Sequence, residues 1–252
     1  MLEAIIWGFV QGVTEFLPIS SDGHLVLVPA FLGIDPPDFA TSAVLHLGTL
    51  AAVLAYFRKD LLALVRFRQD PAARKLLTLI IIGSLPAALA LLVVDEVERL
   101  QESVTATAIF LIVTGVVLAI ASRLRKGDRS IYDARASDAV VIGFAQLLAV
   151  LPGISRSGMT IATGMARRFD QVEAARFSFL LGVPAVAAAG LLELWTLLGE
   201  RGVPASAWVG VVVAAVTGYF AIGFLLKALA RTGLTPFAIY CVVVGTLALV
   251  VL

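Results

Sequence analysis

Charge is what this sequence has least of. Only 15% of its 252 residues are Asp, Glu, Lys or Arg, while 60% are hydrophobic; a water-soluble domain carries about a quarter charged residues. An ordinary soluble globular protein is thereby excluded, and a polytopic membrane protein is expected. The period-two alternation of an outer-membrane barrel is missing too, which leaves helices. There is one cysteine, Cys241, so neither a disulfide framework nor a thiolate metal site can be built. Histidine is nearly as scarce, with His24 and His46 alone. No P-loop, zinc motif or dinucleotide fingerprint occurs, and no nucleic-acid partner is expected. The N-terminus has Glu3 and no basic stretch, so no cleavable signal peptide is expected.

What the chain does have is a series of apolar segments, two of them broken. Residues 2–33 form two short apolar stretches interrupted at Leu17-Pro18-Ile19-Ser20-Ser21. Neither reaches the ~20 residues needed to cross a bilayer. Pro18 donates no backbone bond and disfavours helix at Leu17. The pattern predicts a re-entrant hairpin, tolerated in a membrane only where the broken backbone is buried in protein or lines a wet cavity. Asp35-Pro36-Pro37-Asp38 follows as a surface turn. Spans are expected at 40–57, 76–94 and 104–122, then a cytoplasmic linker at 123–138. A second broken hairpin covers 139–168, and further spans 171–198, 206–229 and 235–252. The expected fold is all-α: one membrane domain, 1–252, with six transmembrane helices and two re-entrant helical hairpins.

The halves 1–122 and 139–252 repeat one another. Gly8-Phe9-Val10-Gln11 matches Gly143-Phe144-Ala145-Gln146, and Leu17-Pro18-Ile19-Ser20-Ser21-Asp22-Gly23 matches Leu151-Pro152-Gly153-Ile154-Ser155-Arg156-Ser157-Gly158 with one slipped position. Leu47-Gly48 and Leu181-Gly182 keep the register. A helix broken at the same place in both halves points to a midplane binding site. Basic residues set the orientation. Arg58, Lys59, Arg66, Arg68, Arg74 and Lys75 fall on one face, with Arg123, Arg125, Lys126, Arg129, Arg135, Arg167, Arg168, Arg176, Lys227 and Arg231. The other face receives Arg99 and Arg201 among Asp95, Glu96, Glu98, Glu102 and Glu200. The first face is therefore expected to be cytoplasmic, with both termini outside. Three spans per half invert the second repeat, so the hairpins enter from opposite sides and their tips meet near mid-membrane.

Chemistry concentrates at those tips. Arg156 lies in Pro152-Gly153-Ile154-Ser155-Arg156-Ser157-Gly158-Met159-Thr160, inside membrane-soluble sequence. An unpaired arginine at that depth costs several kcal/mol, so it faces a partner or a polar cavity. Its planar fork fits phosphate oxygens two at a time, and a helix opening at Ser155 or Ser157 would aim backbone N–H groups at the same anion. Gln11 and Glu15, four apart, share a helix face. Glu15 has two readings: an ion pair with Arg156 that joins the hairpins, or a ligand of a hard cation, Mg²⁺ or Ca²⁺, with Gln11 and with Asp22 as a third candidate. Ser20 and Ser21 can act as helix caps. With His24 and a carboxylate they also supply the hydroxyl, imidazole and acid of an activated nucleophile. Ser157 and Thr160 add donors, and His46 reads as a packing residue.

Gln11-Gly-Val-Thr-Glu15-Phe-Leu-Pro-Ile-Ser20-Ser21-Asp22-Gly-His24 and Pro152-Gly-Ile-Ser-Arg156-Ser-Gly-Met-Thr160 resemble the two motifs of the undecaprenyl-pyrophosphate phosphatase, or bacitracin-resistance, family. The resemblance covers essentially the whole chain. It implies a multi-pass enzyme of the bacterial cytoplasmic membrane, with its active site outside, that removes the terminal phosphate of a polyprenyl diphosphate and recycles the cell-wall lipid carrier. By position, Glu15, Ser21, His24 and Arg156 are catalytic candidates. Ser20, Gly153, Ser155, Arg156, Ser157 and Thr160 are substrate-binding candidates, and Gln11 and Glu15 bind the divalent cation. Ser21 attacks with His24 as base, or water activated by His24 or Glu15 does so. The family has Ser or Thr where this chain has Asp22, a carboxylate that repels a diphosphate unless it binds metal or turns away. Expected partners are the lipid substrate and the bilayer, and the sequence leaves the oligomeric state open between a monomer and a homodimer. The competing reading is a lipid-phosphate flippase or anion transporter, which needs the anion clamp but no nucleophile.

Overall fold

Residues 1–37, 39–93, 97, 99–100, 103–124, 127–200 and 205–252 are described in the computed structural model. The expectations placed on Asp38, Val94, Asp95, Glu96, Glu98, Glu102, Arg125, Lys126 and Arg201 lie outside the described residues. The helices in order are α1 (Leu2–Phe16), α2 (Ser21–Leu32), α3 (Phe39–Tyr56), α4 (Arg58–Val65), α5 (Pro71–Ser84), α6 (Val104–Ser122), α7 (Ala136–Leu148), α8 (Arg156–Ala166), α9 (Gln171–Glu200), α10 (Ala205–Thr232) and α11 (Thr235–Val251). Among the described residues no strand occurs; the pairing of Arg129 with Phe169 is an isolated bridge. Helices Pro71–Ala90, Val104–Ser122 and Ala205–Thr232 are long and apolar enough to cross a membrane, and Ser21–Leu32, Val44–Tyr56, Ala136–Leu148 and Thr235–Val251 are apolar but shorter. The protein is an all-helical integral membrane protein.

Departures from the sequence reading have local causes. Helix α5 starts at Pro71, five residues before the expected span. Proline is at home in a first turn, and the Asp70 side chain accepts from Ala72 N at 2.8 Å. Beyond Ser84 the chain tightens into a 3-10 helix, Leu85–Leu92, because Pro86 has no N–H and crowds the preceding turn. Helix α7 starts at Ala136, three residues before the expected hairpin. Asp138, counted with the linker, accepts from Arg135 N at 2.9 Å and so belongs to the helix start.

The halves pack crosswise. Helix α1 lies along α10, and α7 lies along α5 and its 3-10 extension, while α6 pairs with α11 and α3 runs against α9 and α10. Small residues permit this approach, as in other membrane helix pairs. A Cβ added at Gly8 would meet the Gly210 Cα at 2.9 Å, and one at Gly143 would meet the Gly83 Cα at 3.1 Å. Phe16 and Phe57 close on Phe179 with ring centroids 5.5 Å and 5.8 Å away, which fills the core directly beneath the hairpins. The buried Asp138 carboxylate ties the linker together: Oδ2 accepts from Arg129 Nη2 and Oδ1 from Arg167 Nε, both at 2.7 Å.

Candidate active site

Both hairpins turn by the same device. Helix α1 ends at Phe16, and Leu17 is extended at φ −67° and ψ 142°, the conformation imposed ahead of Pro18. Helix α2 then opens with Ser20 as cap, its hydroxyl accepting from Gly23 N at 3.3 Å. In the second hairpin Ser155 caps α8 and accepts from Gly158 N at 3.1 Å. Ser20 and Ser155 are repeat mates in the sequence, as are Gly23 and Gly158. The unusual backbone falls differently: Gly153 carries φ +92°, whereas the first hairpin places φ +70° on Ser20, strain worth roughly 1–3 kcal/mol for a residue with a Cβ. Neighbours hold each turn. Thr114 Oγ1 donates to Gly153 O at 2.9 Å and accepts from Ser155 N at 3.1 Å, and the Cys241 thiol is directed at Pro18 O at 3.6 Å. The tips touch where Ser157 Oγ donates to Leu17 O at 3.1 Å.

Glu15 is the centre. Its Oε1 accepts from Arg156 Nη2 at 2.5 Å. Its Oε2 accepts from Ser21 Oγ at 2.6 Å and from Gln11 Nε2 at 3.1 Å. His46 Nε2 stands 3.7 Å from the same oxygen and 3.8 Å from Asp22 Oδ1. Gln11, Glu15 and Ser21 are buried, Arg156 and His46 are half-buried, and the Asp22 side chain is 45% exposed. The sequence match between the two hairpins bears on this set. Ser21 and Arg156 are mates, each the first residue after a serine cap, and both reach the one carboxylate. The mate of Glu15 is Val150, so only one hairpin carries an acid. Beside the Glu15–Arg156 pair lies a pocket of about 10 Å³ bounded by Thr49, Phe179 and Gly182, room for about one water molecule.

The structure thus brings Gln11, Glu15, Ser21 and Arg156 together, and it redirects other candidates. His24 is not hydrogen-bonded to Ser21. Its Nδ1–H donates to Ser20 O at 2.8 Å, and the Tyr240 hydroxyl donates to Nε2 at 2.8 Å with the rings stacked 5.6 Å apart. Ser21 starts α2 and faces back to α1, while His24, three residues on, turns toward α11. In this arrangement the expected Ser21–His24 relay is replaced by a Ser21–Glu15 contact. Ser20, Ser155, Ser157 and Thr160 are also engaged elsewhere: two cap helices, Ser157 bridges the tips, and Thr160 Oγ1 binds Arg156 O at 2.7 Å and Ser178 Oγ at 2.6 Å. Ser155, Ser157 and Thr160 shape the helix that presents Arg156, and Ser20 the helix that presents Ser21. Sequence reasoning missed Tyr240 and Thr114, on helices remote in sequence, and undervalued His46. The Leu47-Gly48 and Leu181-Gly182 match was the available signal, since it sets His46 and Gly182 on α3 and α9, the two long helices beside the tips.

A hard divalent cation fits the oxygen donors in part. Gln11 Oε1 is fully buried and without a hydrogen-bond partner, on the amide that already touches Glu15, and Asp22 stands at the rim. Among the described residues no group of three or more His, Cys, Asp or Glu forms a ready-made metal site, so substrate or water oxygens would complete the shell, as is usual for Mg²⁺.

The chain is similar to known proteins over nearly its whole length. A family profile described as bacitracin resistance protein BacA matches residues 4–247. A protein named undecaprenyl-diphosphatase from Thermomicrobium roseum is 43% identical over 99% of this chain and 97% of its own length. Proteins of the same name from Geotalea daltonii and Synechococcus elongatus are each 40% identical, over 99% and 96% of this chain and 97% and 90% of their own.

Proposed function

The chain belongs to the bacitracin resistance protein BacA family, and on that premise we propose how its hairpin tips carry out the family's chemistry. The protein is a membrane hydrolase that converts undecaprenyl diphosphate to the monophosphate and phosphate, the activity that underlies bacitracin resistance. One observation supports placing that activity at the tips: the Ser21 hydroxyl and the Arg156 fork both bond the buried Glu15 carboxylate within an apolar protein.

Arg156 gives one N–H to Glu15 and keeps other donors for the terminal phosphoryl group, whose equatorial oxygens gather charge in the transition state. Ser21 Oγ attacks phosphorus in line. The Oγ–P bond forms as the bond from phosphorus to the bridging oxygen breaks, and undecaprenyl phosphate leaves with that electron pair. The Ser21 proton passes to Glu15 Oε2, its present acceptor. Glu15 passes that proton to the departing undecaprenyl phosphate and is a carboxylate again; it then takes a proton from the water that attacks the phosphoserine and returns it to Ser21 Oγ as the O–P bond breaks and phosphate leaves. His24 acts by fixing Ser20 O and so the start of α2. A divalent cation, Mg²⁺ or Ca²⁺, held by Gln11, Glu15 and Asp22 would supply charge neutralisation on the diphosphate oxygens. Helix α8 presents Arg156 through the caps and bridges of Ser155, Ser157 and Thr160, with Gly153 supplying the left-handed turn.

The same reading gives the membrane layout: six spans and two re-entrant hairpins in inverted repeats, 1–122 and 139–252, joined by the linker 123–138. The crosswise packing of α1 on α10 and of α7 on α5 supports it. The concentration of Arg and Lys near the linker and α4 supports a cytoplasmic location for that face, with the tips reached from outside. The test is phosphate release from undecaprenyl or farnesyl diphosphate by purified protein, with Mg²⁺, with Ca²⁺ and with EDTA. Arg156→Ala is expected to lower turnover more than about tenfold; a folded Arg156→Ala protein with normal turnover would sink the assignment.

A further inference from the structure

Helices α5 and α7 touch at Gly83 and Gly143 and leave a wedge between their starts. The wedge opens into a groove of about 530 Å³, inside the range of about 300–1,000 Å³ usual for small-molecule sites. None of the residues that bound it belongs to the hairpin tips. Lys75 and Arg135 both line it, each eight residues ahead of the touching glycine.

The lining changes character along α5. Arg74 and Lys75 come first, then Thr78, then Leu79 and Ile82, all on one helix face by steps of three and four. Arg135 adds a third cation from the opposite wall, where Ala134 and Ala136 leave room. The apolar side continues beyond the groove: exposed Leu85 follows Ile82 by three residues, and exposed Val140 and Phe144 follow Ala136 by four and eight. Helix α5 opens the segment Pro71–Ala90, which is long and apolar enough to cross a membrane. Its first turns therefore lie at headgroup depth, and its later ones among acyl chains.

The cations are available for a ligand. Lys75 Nζ donates to Tyr132 O at 2.7 Å, which fixes the ammonium and leaves two of its three donors. Among the described residues no carboxylate forms an ion pair with Arg74, Lys75 or Arg135. The adjoining acids are engaged: Asp70 caps α5 through Ala72 N at 2.8 Å, and Asp133, which Lys75 attracts at longer range, accepts from Ser130 N at 2.9 Å.

We propose that the α5–α7 groove binds the phosphate headgroup of an anionic phospholipid, whose acyl chains lie along Leu85, Val140 and Phe144. Basic pockets between membrane helices hold acidic lipids in this way. A free phosphoester would use the cations but not the apolar stripes, and a zwitterionic lipid would bring its own cation against them. The inference stands apart from the phosphatase reading and rests on α5 as a membrane span.

Native mass spectrometry of the purified full chain in a neutral detergent tests it, with dioleoyl phosphatidylglycerol and dioleoyl phosphatidylcholine titrated in turn. Phosphatidylglycerol is expected to bind in preference. A basic side chain near a membrane surface is worth about fivefold in lipid binding, so Arg74→Gln with Arg135→Gln should weaken phosphatidylglycerol about twenty-fivefold. Both side chains are exposed, so the fold should persist, which the melting midpoint in the same detergent checks. Should the double variant lose its fold, Arg74→Gln alone carries the test at about fivefold. Arg66→Gln with Arg68→Gln removes equal charge outside the groove and should leave the affinity nearly unchanged. Equal binding of the two lipids overturns the proposal, as does undiminished phosphatidylglycerol binding by the folded groove variant. An equal loss in both double variants overturns it by marking diffuse surface charge. Displacement of the lipid by glycerol 3-phosphate at matching concentration does so as well, because the groove would then read a phosphoester without its chains.

Discussion

Gly182→Ala tests whether the arginine fork must sit where it does. Gly182 lies inside α9, and the three atoms nearest to an added Cβ all belong to the Arg156 guanidinium, with Cζ at 2.8 Å and Nη2 at 3.4 Å. Ordinary contact begins near 3.4 Å, so Cζ must retreat by about 0.6 Å, and Nη1, nearer still, by more. The pair with Glu15 is held at 2.5 Å, and the adjoining pocket has room for about one water. The guanidinium can move only by giving up that contact or its aim at the phosphoryl group. Misplacement of a catalytic group by about 1 Å costs about a hundredfold in rate. Helix propensity runs the other way, since alanine within a helix is favoured over glycine by about 0.5–1 kcal/mol. Phosphate release should therefore fall about a hundredfold while the thermal midpoint in detergent stays level or rises. Gly48→Ala is the contrast, because its added methyl meets α10 atoms, Ala214 Cβ at 2.9 Å and Ala215 N at 3.1 Å, and should cost stability first. A Gly182→Ala enzyme with unaltered turnover and an unaltered melting midpoint would refute the claim that Arg156 works from this position.

Ser21→Ala should lower phosphate release by about three orders of magnitude or more, whereas His24→Gln, which leaves the Ser21–Glu15 contact in place, should lose much less; equal losses in the rate assay would restore histidine as the base. Tyr240→Phe keeps the stacked ring and deletes the hydrogen bond to His24, so a loss of about 1 kcal/mol in stability is expected by thermal or denaturant unfolding in detergent. Asp138→Asn leaves Arg129 and Arg167 facing an uncharged buried amide and should cost about 3 kcal/mol, read as a lowered midpoint. Burial pushes the Asp138 carboxyl upward, but bonds from Arg129, Arg135 N and Arg167 outweigh it and hold the group below the usual carboxylate range. A carboxyl depressed in the folded state stabilises above its unfolded value, and that contribution disappears as pH falls through the depressed one. Melting midpoints followed from pH 7 downward should decline more steeply for the unaltered protein than for Asp138→Asn.

Much of the fold is legible in the sequence because apolar runs are punctuated. Helix α6 runs from Val104 to Ser122, the span expected from the run between polar Ser103 and Arg123. Both tip breaks follow from Pro18, Pro152 and Gly153, whose backbone limits act whatever the surroundings. The pairing of Glu15 with Arg156 was one of two readings, reached because an arginine at that depth needs a partner. What sequence could not settle is where each tip side chain points. Ser21 and His24 lie three residues apart on one helix and turn to different neighbours, Glu15 on α1 and Tyr240 on α11. That divergence depends on an aromatic residue more than two hundred positions away. The shift of α5 into a 3-10 helix was written in Pro86, but apolar patterning cannot distinguish two helical windings of one run.

The crosswise packing also sets an order of assembly. The close-packed glycine face of α1 is completed by α10, which begins at Ala205, so the first hairpin leaves the ribosome long before its cover exists. At about 5–20 residues per second, the wait is roughly ten to forty seconds. Through that interval Gly8 and Gly12 lack their α10 contacts, and the Glu15 carboxylate has no Arg156 to neutralise it. The α1–α2 pair therefore reaches its final packing only after α10 has been made, as a late step of folding rather than the first. Each half completes the other: Thr114 of the first holds the turn at Gly153, and Cys241 of the second is directed at Pro18.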